Sequence, residues 1–172
     1  MGAAGAFVIF GATGDLARRM LFPSLYFLER DGLLPDGLRI VGAARSALGP
    51  DAFADLVLEA VTERAGAFFS ADVWSRFRAR LAYCGGEAGE RATYRALSER
   101  LAGAGESIFY LSTSPALYGP IVEGLAREGL TAAPNRIVVE KPIGRSRATG
   151  EAINAALAAH FSEGRIFRID HY

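Results

Sequence analysis

The sequence predicts an α/β fold, a doubly wound, mostly parallel six-stranded sheet with helices on both faces. Two observations predict it. Short β-branched or aromatic runs alternate along the chain with longer amphipathic stretches, which is typical of strand–helix–strand units. Glycines follow several of the amphipathic stretches, where a left-handed helix C-cap is expected. In such sheets ligands bind in a crevice at the carboxyl ends of the strands, so the residues after each strand are the functional candidates.

Each element is predicted from its local pattern. The strands are expected at residues 7–10, 39–43, 81–84, 107–111, 136–139 and 165–169. The helices are expected at 15–30, 52–64 with 71–80, 92–102, 115–128 and 146–161. In the first helix, Leu16, Met20, Leu21, Leu25 and Leu28 recur at helical spacing if the proline at position 23 is skipped.

Composition restricts the class of protein. The chain has 172 residues, 51% of them hydrophobic, and a net charge of zero, which fits one globular core and gives no basis for binding nucleic acid or an anionic membrane. The apolar run 7–10 is too short to span a bilayer. The single cysteine, Cys84, lies in an apolar setting and excludes an internal disulfide. These features predict a cytoplasmic protein, and no metal-binding pattern is present.

The first predicted strand runs into Gly11-Ala12-Thr13-Gly14-Asp15-Leu16-Ala17. Glycines allow a sharp turn and a close approach to a pyrophosphate, and the N-terminus of the next helix attracts its charge. A glycine loop between a first strand and a first helix is typical of Rossmann-type dinucleotide sites. The spacing is Gly-x-x-Gly-x-x-Ala instead of Gly-x-Gly-x-x-Gly, so an ordinary glycine turn with Asp15 as helix N-cap is the alternative.

The second predicted strand ends in a segment that favours NADP. NAD sites usually place an acid there for the ribose 2′-hydroxyl, whereas NADP needs a cation for the 2′-phosphate. No acid occurs between Gly37 and Pro50, and Arg45 and Ser46 offer a guanidinium and a hydroxyl. A solvated loop arginine is the alternative. Near the carboxyl end of the fourth strand, Tyr110 is expected either to border the nicotinamide half of the coenzyme or to pack in the core.

The last two strands end in polar residues. Lys141, in Val138-Val139-Glu140-Lys141-Pro142, is the only lysine among nineteen basic residues. An ammonium is a compact point charge, whereas a guanidinium is a planar fork. A single lysine in an arginine-rich chain therefore has two explanations: a polar contact that requires an ammonium, or chance. The last strand ends with Asp170, His171 and Tyr172, a polar cluster at the edge where this fold binds ligands.

Together these segments resemble the glucose-6-phosphate dehydrogenase family. The resemblance lies in Gly-Ala-Thr-Gly-Asp-Leu-Ala, Asp-Gly-Leu-Leu-Pro, Ala-Arg-Ser, Glu-Lys-Pro and Arg-Ile-Asp-His-Tyr, in that order along the whole chain. The last of these, residues 168–172, is the most specific because it opens the family's substrate signature. The resemblance implies oxidation of glucose 6-phosphate at C1 to 6-phosphogluconolactone with hydride transfer to NADP.

The resemblance also implies roles for individual residues. Lys141 would contact sugar and coenzyme, Pro142 would follow a cis peptide bond, and Asp170 would orient the catalytic histidine. His171 and Tyr172 would bind the sugar phosphate, and Arg45 the 2′-phosphate. The pyrophosphate would be held by the loop residues Gly11, Ala12, Thr13, Gly14, Asp15, Leu16, Ala17 and Arg18.

Two departures from the family pattern bear on activity. The family's general-base histidine belongs to a second α+β domain that also dimerises, and neither His160 nor His171 matches it. Met20 stands where many members carry a lysine. Residues 1–172 are therefore expected to be the NADP-binding domain of a longer homo-oligomeric enzyme, inactive when isolated. The alternatives are a sugar oxidoreductase of the Gfo/Idh/MocA type and a non-catalytic NADP-binding module.

Overall fold

The computed structural model describes residues 5–141 and 146–170. Its six strands form one sheet in the order β3-β2-β1-β4-β5-β6, and all five neighbouring pairs are parallel. Each strand lies within one residue of its predicted bounds, and the Rossmann-type topology is confirmed. The strands are β1 Ala6–Phe10, β2 Arg39–Ala44, β3 Leu81–Gly85, β4 Ser107–Leu111, β5 Arg136–Glu140 and β6 Ile166–Ile169.

Six α-helices connect the strands: α1 Phe22–Arg30, α2 Pro50–Ala65, α3 Ala71–Ala79, α4 Arg91–Leu101, α5 Tyr118–Arg127 and α6 Arg147–Ala158. Short 3₁₀ turns occur at Gly66–Phe68, Pro115–Leu117 and Glu163–Arg165. Among the described residues, no helix has the length and apolar character needed to cross a bilayer.

The predicted helix 15–30 is interrupted by a π-helical turn, Ala17–Leu21. The Phe22 N–H donates to the Ala17 carbonyl five residues back. Pro23 explains this turn because its ring would crowd the carbonyl four residues earlier and it has no N–H to donate. The added residue rotates the preceding side chains around the helix, so Met20, predicted on the apolar face, is 48% exposed. The predicted apolar face is also wrong at Leu28 in α1, which is 39% exposed.

The sheet separates two apolar cores. Strand residues such as Val8, Phe109 and Val139 pack with α4–α6 on one face. On the other face, Ile9 and Ile40 pack with residues of α1–α3. No described residue of β4–β6 belongs to this second core, so the layer formed by α1–α3 ends at β1. Helices therefore lie on both faces, as predicted, but they cover only half of the second one.

Arginines fix the turns at the amino edge of the sheet, opposite the crevice. The Arg39 guanidinium donates to the carbonyls of Arg100 and Ala102, at 2.6 and 3.0 Å. Two further arginines do the same: Arg80 donates to the Pro35 and Leu38 carbonyls, and Arg165 to those of Thr131 and Asn135. Each guanidinium thus donates to two carbonyls at helix ends or in turns outside the sheet.

Candidate functional site

A crevice opens at the carboxyl edge of the sheet beside β1 and β4, where the strand order reverses. Ligands of doubly wound sheets bind at this switch point. The cavity has a volume of about 350 Å³. Of the predicted cofactor residues, it is lined by Gly11, Thr13, Gly14, Arg45 and Ser46. Lining residues that sequence reasoning missed include Gly86, Ala88, Thr93, Tyr94, Ser112 and Thr113.

Gly11 makes the turn from β1 into the crevice. Its φ angle is +82°, and its N–H donates to the Ala43 carbonyl at 2.8 Å. A Cβ atom built on Gly11 would lie 2.0 Å from the carbonyl oxygen of Ser112. Both the left-handed backbone and the close approach of the loop that follows β4 therefore require glycine.

The helix that follows the loop begins at the crevice. The Arg18 N–H donates to the Gly14 carbonyl at 3.1 Å, which makes Gly14 the N-cap and places Asp15 in the first turn. The alternative assignment of Asp15 as the cap is therefore wrong. A helix N-terminus at this position attracts an anionic group.

The remaining residues of the predicted loop lie outside the crevice lining. Ala12 and Ala17 are fully buried in the core, and Leu16 is half-buried. Arg18 forms an ion pair with Glu59 at 3.1 Å. Asp15 and Arg18 line a separate surface depression together with Arg19, Met20, Ala60, Glu63 and Arg64.

Arg45 is exposed at the crevice, directly after β2. Within residues 5–141 and 146–170, no side chain or carbonyl forms a hydrogen bond or ion pair with its guanidinium. The guanidinium is thus available to an anionic ligand. The next residue, Ser46, lies in the same loop and also lines the cavity.

The loop carrying Arg45 is held by Tyr83 of β3. The Tyr83 hydroxyl donates to the Ser46 carbonyl at 2.7 Å and to the Ala44 carbonyl at 3.4 Å. Burial raises the pKa of Tyr83, so the hydroxyl keeps the proton that it donates. Phe53 supports the Tyr83 ring, with the two ring centroids 4.7 Å apart, and it occupies the space beside Gly42, where a Cβ atom would lie 2.4 Å from the Phe53 ring.

Ser112 follows β4 and closes the cavity from the other side. Its N–H donates to the Phe10 carbonyl at 3.0 Å. Its Oγ atom is buried and has no hydrogen-bond partner among the described residues. Within the described part of the chain, a buried hydroxyl without a partner, an arginine without a counter-ion and a glycine turn that a methyl group would fill are features that fit a phosphate-bearing dinucleotide.

Tyr110 lies beside the crevice without lining it. Its ring is 7% exposed and contacts Phe7, with ring centroids 5.9 Å apart. Its hydroxyl donates to Glu140 Oε1 at 2.6 Å. Burial, and then the hydrogen bond to Glu140, raise the pKa of Tyr110. Glu140, which sequence reasoning missed, is thereby held at the end of β5 beside Lys141.

The two predicted catalytic residues meet at the carboxyl edge. Lys141 follows β5 and Asp170 follows β6, and the Lys141 Nζ atom lies 3.2 Å from each carboxylate oxygen of Asp170. The Lys141 N–H also donates to the Ile169 carbonyl at 2.9 Å, which aligns the two strand ends. Both side chains are about half-exposed, at 48% and 47%, so the pair is open to a ligand.

The other substrate candidates are placed as follows. Pro142, His171 and Tyr172 lie outside the described residues. His160 follows α6 at the amino edge of the sheet, and its N–H donates to the Leu157 carbonyl. It therefore lies at the edge opposite the crevice. Among the described residues, no three His, Cys, Asp or Glu side chains are grouped as metal ligands.

Comparison with known proteins decides the family. Residues 8–172 match the family model described as the glucose-6-phosphate dehydrogenase NAD binding domain. The chain belongs to the glucose-6-phosphate dehydrogenase family. The matched domain is accordingly one that binds a nicotinamide dinucleotide cofactor.

The family relatives share this domain and are longer. Glucose-6-phosphate 1-dehydrogenase of Mycolicibacterium smegmatis is 42% identical over 173 residues, 96% of this chain and 35% of that protein. The crystal structure of the Mycobacterium avium enzyme has a TM-score of 0.90 and 36% identity over 98% of this chain and 36% of that one. A glucose-6-phosphate dehydrogenase solved with its substrate glucose 6-phosphate has a TM-score of 0.84 and 28% identity over 100% of this chain and 38% of that one. The chain spans about a third of the length of these relatives.

Proposed function

We propose that this chain is the NADP-binding domain of a longer enzyme that oxidises glucose 6-phosphate at C1 to 6-phosphogluconolactone. The observation that carries the proposal is the Lys141–Asp170 pair, which lies at the same carboxyl edge of the sheet as the crevice, where ligands bind. The substrate named for the solved relative supports the choice of sugar. The share of the relatives' length that this chain spans supports a longer enzyme.

Different crevice residues hold different parts of the coenzyme. When bound, the coenzyme supplies the nicotinamide ring that accepts hydride. The turn at Gly11 and the helix N-terminus after Gly14 accommodate its pyrophosphate. Arg45 and Ser46 bind the 2′-phosphate of NADP, and Tyr83 fixes the carbonyls of their loop so that little ordering is needed on binding.

The residues at the ends of β5 and β6 act on the sugar side. The Lys141 ammonium donates to a sugar hydroxyl and to the coenzyme, and Asp170 holds it in place by a charge-assisted hydrogen bond. In the longer enzyme, Asp170 orients the general-base histidine, and His171 and Tyr172 bind the sugar phosphate. The base takes the C1 hydroxyl proton as hydride leaves the same carbon.

Replacing Arg45 by alanine is expected to weaken NADP binding about tenfold or more while leaving NAD binding unchanged. A hydrogen bond to a charged group contributes about 1.5–3 kcal/mol, and only NADP carries the 2′-phosphate that Arg45 would meet. Isothermal titration calorimetry with both coenzymes measures the two affinities.

The matched control is Arg64→Ala, which removes an exposed arginine that does not line the crevice. It should change neither affinity. Equal losses for NADP and NAD in Arg45→Ala would contradict the assignment of the 2′-phosphate contact.

The 172-residue chain is expected to bind coenzyme and to show no measurable turnover with glucose 6-phosphate. General-base catalysis typically contributes about 10²–10⁴-fold, and no described histidine lies at the carboxyl edge. Absorbance at 340 nm follows reduction of the coenzyme, and calorimetry verifies that it binds. Normal turnover in a chain of verified mass would overturn the proposal that the base comes from a second domain.

A further inference from the structure

Two loops of the crevice are tied to one short backbone segment at the end of β2, residues 43–46, which we call the arginine segment. The Ala43 carbonyl accepts a hydrogen bond from the Gly11 N–H at 2.8 Å. The Ala44 carbonyl accepts one from the Gly86 N–H at 3.0 Å. The loops that follow β1 and β3 therefore both contact the segment that carries the arginine of the crevice.

Tyr83 adds a side-chain contact to the arginine segment. Its hydroxyl donates to the Ser46 carbonyl and to the Ala44 carbonyl, at 2.7 and 3.4 Å, so it bonds on both sides of Arg45 along the backbone. The Tyr83 side chain is only 5% exposed and does not line the crevice. Tyr83 thus holds the backbone at Arg45 from within the core.

The side chain of Arg45 contrasts with its backbone. Within the described ranges, the guanidinium has no hydrogen bond or ion pair, and it is exposed at the crevice. The backbone beside it has little room to shift, since a Cβ atom on Gly85 would lie 3.0 Å from the Ser46 carbonyl oxygen. A fixed backbone leaves only the side chain to be ordered when an anion binds, which lowers the entropic cost of binding.

We infer that Tyr83 is a positioning residue that sets the preference of this crevice for NADP over NAD, acting through Arg45 without touching either coenzyme. This inference rests on the proposed function, in which Arg45 binds the 2′-phosphate. The two coenzymes differ by that phosphate, so a residue that fixes the place of Arg45 changes the affinity for NADP alone. Without the hydroxyl, the arginine segment adopts its binding position in a fraction of the molecules, and the apparent NADP affinity falls by that fraction.

Tyr83→Phe tests this inference, because it removes the hydroxyl and keeps the ring that packs on Phe53. Isothermal titration calorimetry of the chain measures both coenzymes. The dissociation constant of NADP is expected to rise about three- to tenfold, the range that one hydrogen bond accounts for. The dissociation constant of NAD should stay within about twofold, the usual error of additivity between independent sites.

The matched control is Tyr26→Phe. Tyr26 is also buried, and its hydroxyl accepts a hydrogen bond from the Ser70 N–H at 2.8 Å, but it lies in α1 and does not line the crevice. Tyr26→Phe should lower the melting temperature about as much as Tyr83→Phe, because each variant loses the bonds of one buried hydroxyl. It should leave the affinity for both coenzymes unchanged.

A double-mutant cycle with Arg45→Ala separates positioning from general support of the fold. If Tyr83 acts through Arg45, its hydroxyl has no guanidinium to position once Arg45 is alanine. Tyr83→Phe added to Arg45→Ala should then change NADP affinity by less than about twofold. A purely structural role would instead lower the affinity for both coenzymes by the same factor in either background.

Equal losses for NADP and NAD in Tyr83→Phe would overturn the inference, as would a full loss that persists beside Arg45→Ala. Unchanged NADP affinity in Tyr83→Phe would also overturn it. In that case the proposed function stands if Arg45→Ala alone still weakens NADP binding. If Arg45→Ala leaves NADP binding intact, the 2′-phosphate assignment and this inference are refuted together.

Discussion

Replacing Gly11 by alanine is expected to abolish measurable coenzyme binding and to lower the melting temperature by about 10 °C. A residue with a side chain at φ +82° carries roughly 1–3 kcal/mol of strain, and a Cβ atom 2.0 Å from the Ser112 carbonyl must displace backbone. Each kcal/mol lowers the melting temperature of a domain of this size by about 2–4 °C. The displaced segment lines the crevice, so affinity falls together with stability.

Gly37→Ala is the matched control for Gly11→Ala. Gly37 has a similar φ of +71°, but a Cβ atom there meets no atom within 4 Å. It should lose a few degrees of melting temperature from backbone strain alone and should bind NADP normally. Thermal unfolding and calorimetry of both variants separate the two effects. Similar losses of stability in both variants would show that the contact with Ser112 is not what requires glycine at position 11.

Lys141→Arg in the longer enzyme is expected to lower kcat/KM about 10²-fold, because small misplacements at a reacting centre cost that much. A planar guanidinium cannot take the position of an ammonium between a sugar hydroxyl and the coenzyme without moving one of them. The melting temperature should stay within a few degrees, because both partners of the Lys141–Asp170 pair are half-exposed and such pairs contribute only about 0–1 kcal/mol.

The reverse exchange, arginine to lysine in a surface ion pair, serves as the control for Lys141→Arg. Arg78 pairs with Asp51 at 2.8 Å on the surface, and both are exposed. Arg78→Lys should leave both kinetics and melting temperature unchanged. Steady-state kinetics over both substrates measure the effect. Near-wild-type kcat/KM in Lys141→Arg would mean that the single lysine of the chain is an accident of composition.

The sheet was predictable because its signals are local. Buried parallel strands appear as short apolar runs, and the glycine loop and the residues after each strand follow from the topology. The crevice lining at Gly11, Thr13, Gly14, Arg45 and Ser46 therefore agrees with the residues expected to face a ligand.

Contacts between distant segments were not predictable in the same way. The π turn before Pro23 reverses the exposure expected for Met20, since a period of 3.6 residues cannot include an inserted residue. Arg18 follows the glycine loop in sequence, but its partner Glu59 lies on α2. The Tyr83 hydroxyl reaches Ser46 across the sheet, a contact that depends on strand order. Each of these is decided by tertiary packing.

The arginine ties at the amino edge bear on how this domain could diverge. Arg39, Arg80 and Arg165 each hold a pair of backbone carbonyls at the edge opposite the crevice, which a forked guanidinium does better than an ammonium. The contacts that stabilise the sheet thus lie at its amino edge, and the residues that select the ligand lie at its carboxyl edge. Loops after β1, β2 and β4 can exchange residues, and with them the coenzyme preference, while the frame keeps its shape. Among related domains, we expect the three arginines to be retained and the residues around Lys141 to differ with the substrate.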